Sequence, residues 1–244
     1  MLRAKELHPE NILFTGSDGL LGTEFKKQFP LAIYTNRTDF DIENYSQISE
    51  YIIDKKIGII IHAAAFTSPP KVDSNPLKAI DANIIGTSNV VKLCINNNIK
   101  LLYISTDYVF RGDHGNYSES DEVFPINKYA VSKLGGECAV KMYDNSLIIR
   151  TSFGPNIFPY EKAFIDQWTS RESVSEITAK IIKLLNSELT GIIHIGSKPR
   201  TVFEYAKSLD PSKDLKELSI KDINFVVPVD TSLDCSRFDS IINH

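Results

Sequence analysis

The chain has 244 residues, enough for one domain or two closely packed lobes with a full buried core. Hydrophobic residues make up 42% and charged residues 24%, an ordinary globular balance, and the net charge of −4 argues against nucleic-acid binding by bulk charge. Three widely spaced cysteines, Cys94, Cys138 and Cys235, form no CxxC or Cys/His cluster, which argues against zinc and disulfide frameworks and fits a reduced, cytoplasmic setting. His62, His114 and His194 have no partner at ligand spacing, so no metal is expected. Residues 1–10 are polar and lack the apolar core of a signal peptide, and no run approaches the ~18 apolar residues of a membrane span.

Residues 11–15 (NILFT) predict a first strand that runs straight into Gly16. Residues 20–29 follow with helical spacing and stop at Pro30. A second strand is expected over 31–35, and a helix over 45–56, where Ile48, Tyr51 and Ile52 are the apolar positions. Residues 57–62 (IGIIIH) form a continuous apolar run, as in a strand covered on both faces. One long helix is expected over 77–97, a fourth strand over 101–105, a helix over 127–143 and a fifth strand over 146–151. Strands and helices alternating at this pace imply parallel βαβ units with right-handed crossovers, hence an α/β, Rossmann-like doubly wound sheet. Ligands of such sheets lie outside the carboxyl ends of the strands, where Thr15, His62, Ser105 and Thr151 stand.

The pattern changes after Ser152. Residues 153–171 read as loop, and 173–186 as a helix with Ser173 at its N-cap and Glu176 completing a capping box. Residues 191–196 (GIIHIG) predict a further strand and 201–209 a short helix, while 210–244 show little periodicity. The expected division is a dinucleotide-binding domain at 1–152 and a short substrate-binding lobe at 153–244, with 191–197 a candidate to return to the main sheet.

Gly16-Ser17-Asp18-Gly19-Leu20-Leu21-Gly22 is a GxxGxxG loop between a strand and a helix. Gly16 permits the tight turn, Gly19 lets backbone approach a pyrophosphate, and Gly22 lets the helix pack close to the sheet; a plain strand-to-helix turn is the alternative. After the second strand comes Asn36-Arg37, where an acidic residue would suit the ribose 2′-hydroxyl of NAD. Arg37 suits a 2′-phosphate instead, so NADPH is favoured and NADH stays open, unless Arg37 is a solvated loop charge. Asp41 and Ile42 are candidates to flank the adenine.

Ser105-Thr106-Asp107-Tyr108 ends the fourth strand, and Tyr129 and Lys133 stand four apart on the next helix, on one face of it. This set suits proton-coupled hydride transfer to a carbonyl. Thr106 would hold the substrate oxygen, Tyr129 would donate its proton, and the Lys133 ammonium would lower the Tyr129 pKa.

GSDGLLG (16–22), Asp41-Ile42, IIHAAAFT (60–67), NIIGT (83–87), STDYVFRG (105–112), YAVSK (129–133) and IIRTSF (148–153), in this order, resemble the extended short-chain dehydrogenase/reductases, and among them the dTDP-4-dehydrorhamnose reductases. The resemblance implies a Thr106, Tyr129 and Lys133 triad. It also implies a cofactor lying along Ala63, Ala64 and Ala65, with Asn83 supporting the Lys133 region through a backbone or water relay. Thr67, Asp107 and Tyr108 would face a nucleotide-sugar substrate. Related 4,6-dehydratases carry Asp-Glu where this chain has Asp107-Tyr108, which favours plain reduction of a 6-deoxy-4-keto nucleotide sugar, in deoxysugar and cell-surface polysaccharide biosynthesis. The chain is shorter than the family after Phe153, which stands at a family Trp position and is a candidate for substrate stacking. Lys162 or Arg171 would meet a diphosphate and Trp168 or Phe164 stack on a base; otherwise the aromatics are core and the charges solvated. An epimerase of the same superfamily and a non-catalytic relative that binds a partner protein are the alternatives. Relatives pair through two helices, here 77–97 and 127–143, which implies a homodimer.

Overall fold

A computed structural model describes residues 8–242. The first seven residues of the polar N-terminal stretch and the last two of the tail lie outside the described residues. The apolar runs form β1 (Ile12–Thr15), β2 (Ile33–Thr35), β3 (Ile59–His62), β4 (Lys100–Ile104) and β5 (Ser146–Thr151). Then come β6 (Phe153–Gly154), β7 (Lys162–Phe164), β8 (Trp168–Thr169), β9 (Glu172–Ser173), β10 (Gly191–Ile195), β11 (Arg200–Thr201) and β12 (Lys216–Leu218). The helices are α1 (Leu20–Gln28), α2 (Tyr45–Ile52), α3 (Pro69–Ser74), α4 (Pro76–Ala79), α5 (Thr87–Asn97), α6 (Lys128–Val140), α7 (Val174–Leu184), α8 (Val202–Leu209) and α9 (Ser236–Ile242).

Six strands make one parallel sheet in the order β10-β5-β4-β3-β1-β2. The chain starts at β1, steps outward to β2, then returns to β3 on the other side of β1. This reversal opens a crevice at the carboxyl ends of β1 and β3, where Thr15 pairs with His62. Successive side chains point to opposite faces. Phe14, Ile61, Leu102 and Ile149 pack on one face with Phe25 of α1, Ile177 and Ile181 of α7 and Phe238 of α9. Their neighbours Leu13, Ile60, Leu101 and Ile148 pack on the other with Ile48 of α2 and Val90, Leu93 and Cys94 of α5. Both faces are buried, so each strand is apolar throughout, and each such side chain contributes roughly 1.5–3 kcal/mol.

The expected long helix over 77–97 is interrupted. Between α4 and α5 lies a π-helical turn, Ile80–Gly86, which carries the buried Asn83. The supposed loop over 153–171 is also structured, because its short strands find partners far along the chain: β6 with β9, β8 with β11 and β7 with β12. Phe158, Ala163, Val202, Tyr205, Ala206 and Leu215 form a small separate core there. Ser173 accepts the Glu176 N–H at 3.2 Å, so its half of the expected capping box is in place. Thr201 and Glu204 form a complete box, with bonds of 2.8 and 3.1 Å. The aperiodic tail returns to the main body, pairing Leu233 with Tyr117 and Asp230 with Trp168.

Candidate active site

The carboxyl ends of β1, β3, β4 and β5 open into a cleft of about 750 Å³. The glycine loop forms one end. Gly16 has φ +78°, and a Cβ there would lie 2.6 Å from Ala64 Cα. A Cβ on Gly22 would lie 2.5 Å from Ser17 Cα, so only glycine lets α1 seat this close to the loop. Gly19 is the N-cap of α1 and supplies no side-chain cap, which leaves the first-turn N–H groups for an anion. Asp18, Leu20 and Leu21 also line this end, and Ala63, Ala64 and Ala65 form the wall opposite. Small side chains there leave the room a dinucleotide requires.

Arg37 lines the cleft beside Asn36, and its Nη2 donates to Glu43 Oε1 at 2.7 Å. Ile42 lines the cleft, but Asp41 does not. Asp41 instead closes a turn, accepting the Glu43 N–H at 3.0 Å.

At the other end Ser105, Thr106, Asp107, Tyr108, Tyr129, Lys133 and Phe153 come together with Thr67. The Thr106 hydroxyl donates to Asp107 Oδ1 at 3.1 Å and accepts the Tyr108 N–H at 3.2 Å. Asp107 is buried, and its Oδ2 accepts from Thr231 at 2.7 Å and Thr169 at 3.2 Å. Burial raises the Asp107 pKa, and these hydroxyl bonds hold it back. The Tyr108 ring meets Tyr129 edge-on at 6.2 Å, and its hydroxyl accepts from Gln167 at 2.8 Å.

Burial lifts the Tyr129 pKa above that of an ordinary phenol; the Thr106 hydroxyl and the Arg171 charge pull the other way, while Asp107 and Tyr108 add to the rise. The net lowering expected from Lys133 is not found, because burial outweighs it. Lys133 Nζ instead donates to Ile104 O at 2.7 Å and sits 4.2 Å from the Tyr103 ring centre. Burial lowers the Lys133 pKa to about 7, with Glu137 opposing. Glu137, one turn further along α6, is fully buried; it accepts from Ser105 Oγ at 2.5 Å and from Arg150 Nε and Nη2 at 3.1 and 2.9 Å.

Asn83 lies behind the cleft. Its side chain closes both backbone groups of Phe66, at 2.7 and 2.9 Å, and donates to Ser132 Oγ at 2.8 Å. Ser132 in turn donates to Tyr129 O at 2.7 Å. The link between Asn83 and the Tyr129/Lys133 helix is thus a direct side-chain bond to Ser132.

Lys162 is not in the cleft. It is exposed on β7, paired with Lys216 of β12, because its strand belongs to the peripheral ribbon. Arg171, the other cation considered, lines the cleft and donates from Nε to Ser152 Oγ at 3.3 Å. Trp168 and Phe164 line no part of it; Phe164 packs on the small core and Trp168 N–H bonds Val229 O. Thr151, expected at a strand's carboxyl end, lines the cleft; Phe66, Lys78 and Ser152 line it too, and Gln167 and Thr231 support it, unanticipated from sequence. For Ser152 the signal existed, because it follows directly on the end of a buried parallel strand. Thr231 lies in an aperiodic tail and gave none.

A family model described as "RmlD substrate binding domain" matches residues 10–171. A mouse (Mus musculus) protein named methionine adenosyltransferase 2 subunit beta is 26% identical over 275 residues, covering 94% of this chain and 82% of its own. The dTDP-4-dehydrorhamnose reductase of Aggregatibacter actinomycetemcomitans is 32% identical over 152 residues, 58% of this chain and 51% of its own. A solved dTDP-4-dehydrorhamnose reductase from Bacillus anthracis, in complex with NADP, superposes with a TM-score of 0.85 at 26% identity, over 97% of this chain and 93% of that one. The chain belongs to the RmlD substrate binding domain family, within the extended short-chain dehydrogenase/reductases.

Proposed function

We propose that this chain uses NADPH, with NADH as a possible substitute, to reduce the C4 ketone of a 6-deoxy-4-keto nucleotide sugar, in deoxysugar and surface-polysaccharide biosynthesis. The observation that carries this reading is the placement of Thr106, Tyr129 and Lys133 at one end of a cleft whose other end is the GxxGxxG loop. The glycine contacts at Gly16 and Gly22 and the uncapped start of α1 fit a dinucleotide. The bound cofactor supplies the hydride. Thr106 turns its hydroxyl hydrogen, held by Asp107 Oδ1 in the structure, to the substrate oxygen. Tyr129, kept protonated by burial, gives its proton to the oxygen as negative charge develops there. Lys133, near the balance between ammonium and amine, offsets the negative charge of the phenolate in its ammonium form. Asp107 accepts the Thr106 hydroxyl until substrate takes its place, and its neighbour Tyr108 supplies no second acid for dehydration.

The test is NADPH oxidation on dTDP-4-keto-6-deoxyglucose by wild type and Tyr129→Phe. The proposal expects turnover lowered at least ~100-fold in the variant, within the usual range for a general acid, with NADPH affinity kept. Equal turnover in both would refute the role of Tyr129. A homodimer is part of the reading: Leu77, Ile80 and Ile85 around the π-turn and Val131 of α6 are exposed by 70, 43, 44 and 52%.

A second reading has support from one observation, the likeness to methionine adenosyltransferase 2 subunit beta over 82% of that protein. In it the chain binds a partner protein through the same fold. It predicts NADPH binding without turnover on any ketosugar, and no effect of Tyr129→Phe on partner affinity.

A further inference from the structure

Four cationic side chains line the cleft: Arg37, Lys78, Lys133 and Arg171. Three of them have evident occupations. Arg37 is paired with Glu43 at 2.7 Å. Lys78 sits 5.2 Å from the Phe66 ring centre and within the field of the same Glu43. Lys133 is buried and bonded to Ile104 O. Arg171 differs. A guanidinium has five N–H donors, and among the described residues only Nε is engaged, on Ser152 Oγ at 3.3 Å. Arg171 forms no ion pair among the described residues, and the neighbouring Glu172 is taken by Lys180 at 3.6 Å. Arg171 lines the cleft that Asp107, Tyr108 and Tyr129 also line, and its bond to Ser152 sets it at the end of β5, beside Phe153.

Arg150 shows what a structural arginine looks like in this protein: 1% exposed in its side chain and forked onto Glu137. Arg171 is half-buried, with its backbone fixed instead. Arg171 O accepts from Ser197 Oγ at 3.1 Å and Arg200 Nη2 at 2.8 Å, and the ladder between β6 and β9 holds the adjacent Glu172 against Phe153. A planar fork is thereby held at one edge, its remaining donors unspent among the described residues, in the cleft that Tyr108 and Tyr129 also line. Such a fork matches the two oxygens of a phosphate or carboxylate.

We propose that Arg171 binds an oxyanion carried by the substrate within the same cleft, and so selects anionic sugar conjugates over neutral carbonyl compounds. In a 6-deoxy-4-keto nucleotide sugar the oxyanion is the diphosphate link; a sugar carboxylate would stand in place of the C6 methyl and change the sugar but not the role of Arg171. The proposal deepens the nucleotide-sugar reading, but its test is a binding measurement that needs no turnover.

Wild type, Arg171→Ala, Arg171→Gln and Arg171→Lys, each saturated with NADP+, are titrated calorimetrically with dTDP, UDP and UDP-glucuronic acid. The unfolding midpoint with NADP+ bound reports whether each variant is folded, and Arg171→Gln keeps a donor for Ser152 if the alanine variant fails. Loss of a charge-assisted fork weakens binding at least about tenfold, with Arg171→Lys intermediate. Equal weakening for every diphosphate that binds assigns the link; weakening confined to UDP-glucuronic acid assigns the sugar carboxylate. Unchanged affinities in the variants, or no binding of any of the three to wild type, overturn the proposal. Failure of the ketone assay alone would leave this result standing and count against the reductase reading.

Discussion

Replacing Glu137 by Gln tests how the reacting end of the cleft is supported. Glu137 and Arg150 are 0% and 1% exposed in their side chains and joined at 2.9 and 3.1 Å, and Arg150 Nη1 has no partner. The Glu137→Gln side chain would keep one acceptor but turn an amide NH2 toward the guanidinium, leaving a buried cation without a counter-ion. Breaking such a pair costs about 3–5 kcal/mol. At roughly 2–4 °C per kcal/mol for a chain of this size, the melting temperature should fall by roughly 6–20 °C. Calorimetry on wild type, Glu137→Gln, Arg150→Met and the double replacement Glu137→Leu/Arg150→Met measures it. The double replacement should lose less than the sum of the single ones, because both charges are then gone. Lys133 should respond as well, since Glu137 is the charge that raises its pKa; without it Lys133 titrates lower still. A fall below ~2 °C in Glu137→Gln, or losses that simply add, would refute this account of the pair.

Gly22→Ala places a methyl 2.5 Å from Ser17 Cα and 2.6 Å from Ser17 O, so α1 must retreat from the loop. NADPH affinity by fluorescence titration should fall at least ~10-fold, and an unchanged affinity would contradict the close-approach argument. Asn83→Ala removes three hydrogen bonds and strands both backbone groups of Phe66. Stability should drop by about 1–3 kcal/mol, with faster exchange of the Phe66 amide; slow exchange there would show that the π-turn does not hold this loop. Lys133 has its folded pKa depressed to about 7 from an ordinary 10.5, so above pH 7 the unfolded chain holds the proton that the folded chain gives up. Stability of wild type relative to Lys133→Met should therefore rise between pH 7 and pH 9, by at most about 2–3 kcal/mol. A flat or falling difference in urea titrations across that window would mean that Lys133 stays charged in the fold.

The sheet was legible because both of its faces are covered: Leu13 and Phe14, or Leu101 and Leu102, are neighbours buried on opposite sides. The glycine loop was legible because steric room for a backbone is written in residue identity. Tyr129 and Lys133 were legible through helical spacing, and Thr106 through its place at a strand end. What failed depended on distant pairing. Lys162 and Arg171 look equally plausible along the chain, and only the pairing of β7 with β12 carries Lys162 away while the pairing of β6 with β9 holds Arg171 at the cleft. The support of Asp107 by Thr231, 124 residues later, has no local mark. Nor does the π-turn, which carries Asn83 and its bonds to Phe66 and Ser132. The pKa of Tyr129 was misjudged because its burial, invisible in the spacing, outweighs any help from a lysine four residues on.

The most direct measurement follows the hydrogen itself. Wild type and Tyr129→Phe are given dTDP-4-keto-6-deoxyglucose with NADPH deuterated at the nicotinamide C4, with each face labelled in separate runs. The account predicts that, for one face only, wild type yields a sugar carrying one deuterium at C4 by mass and NMR, and that Tyr129→Phe yields almost none while still binding NADPH. Deuterium absent from the sugar in both runs, or transferred equally well by Tyr129→Phe, would contradict it.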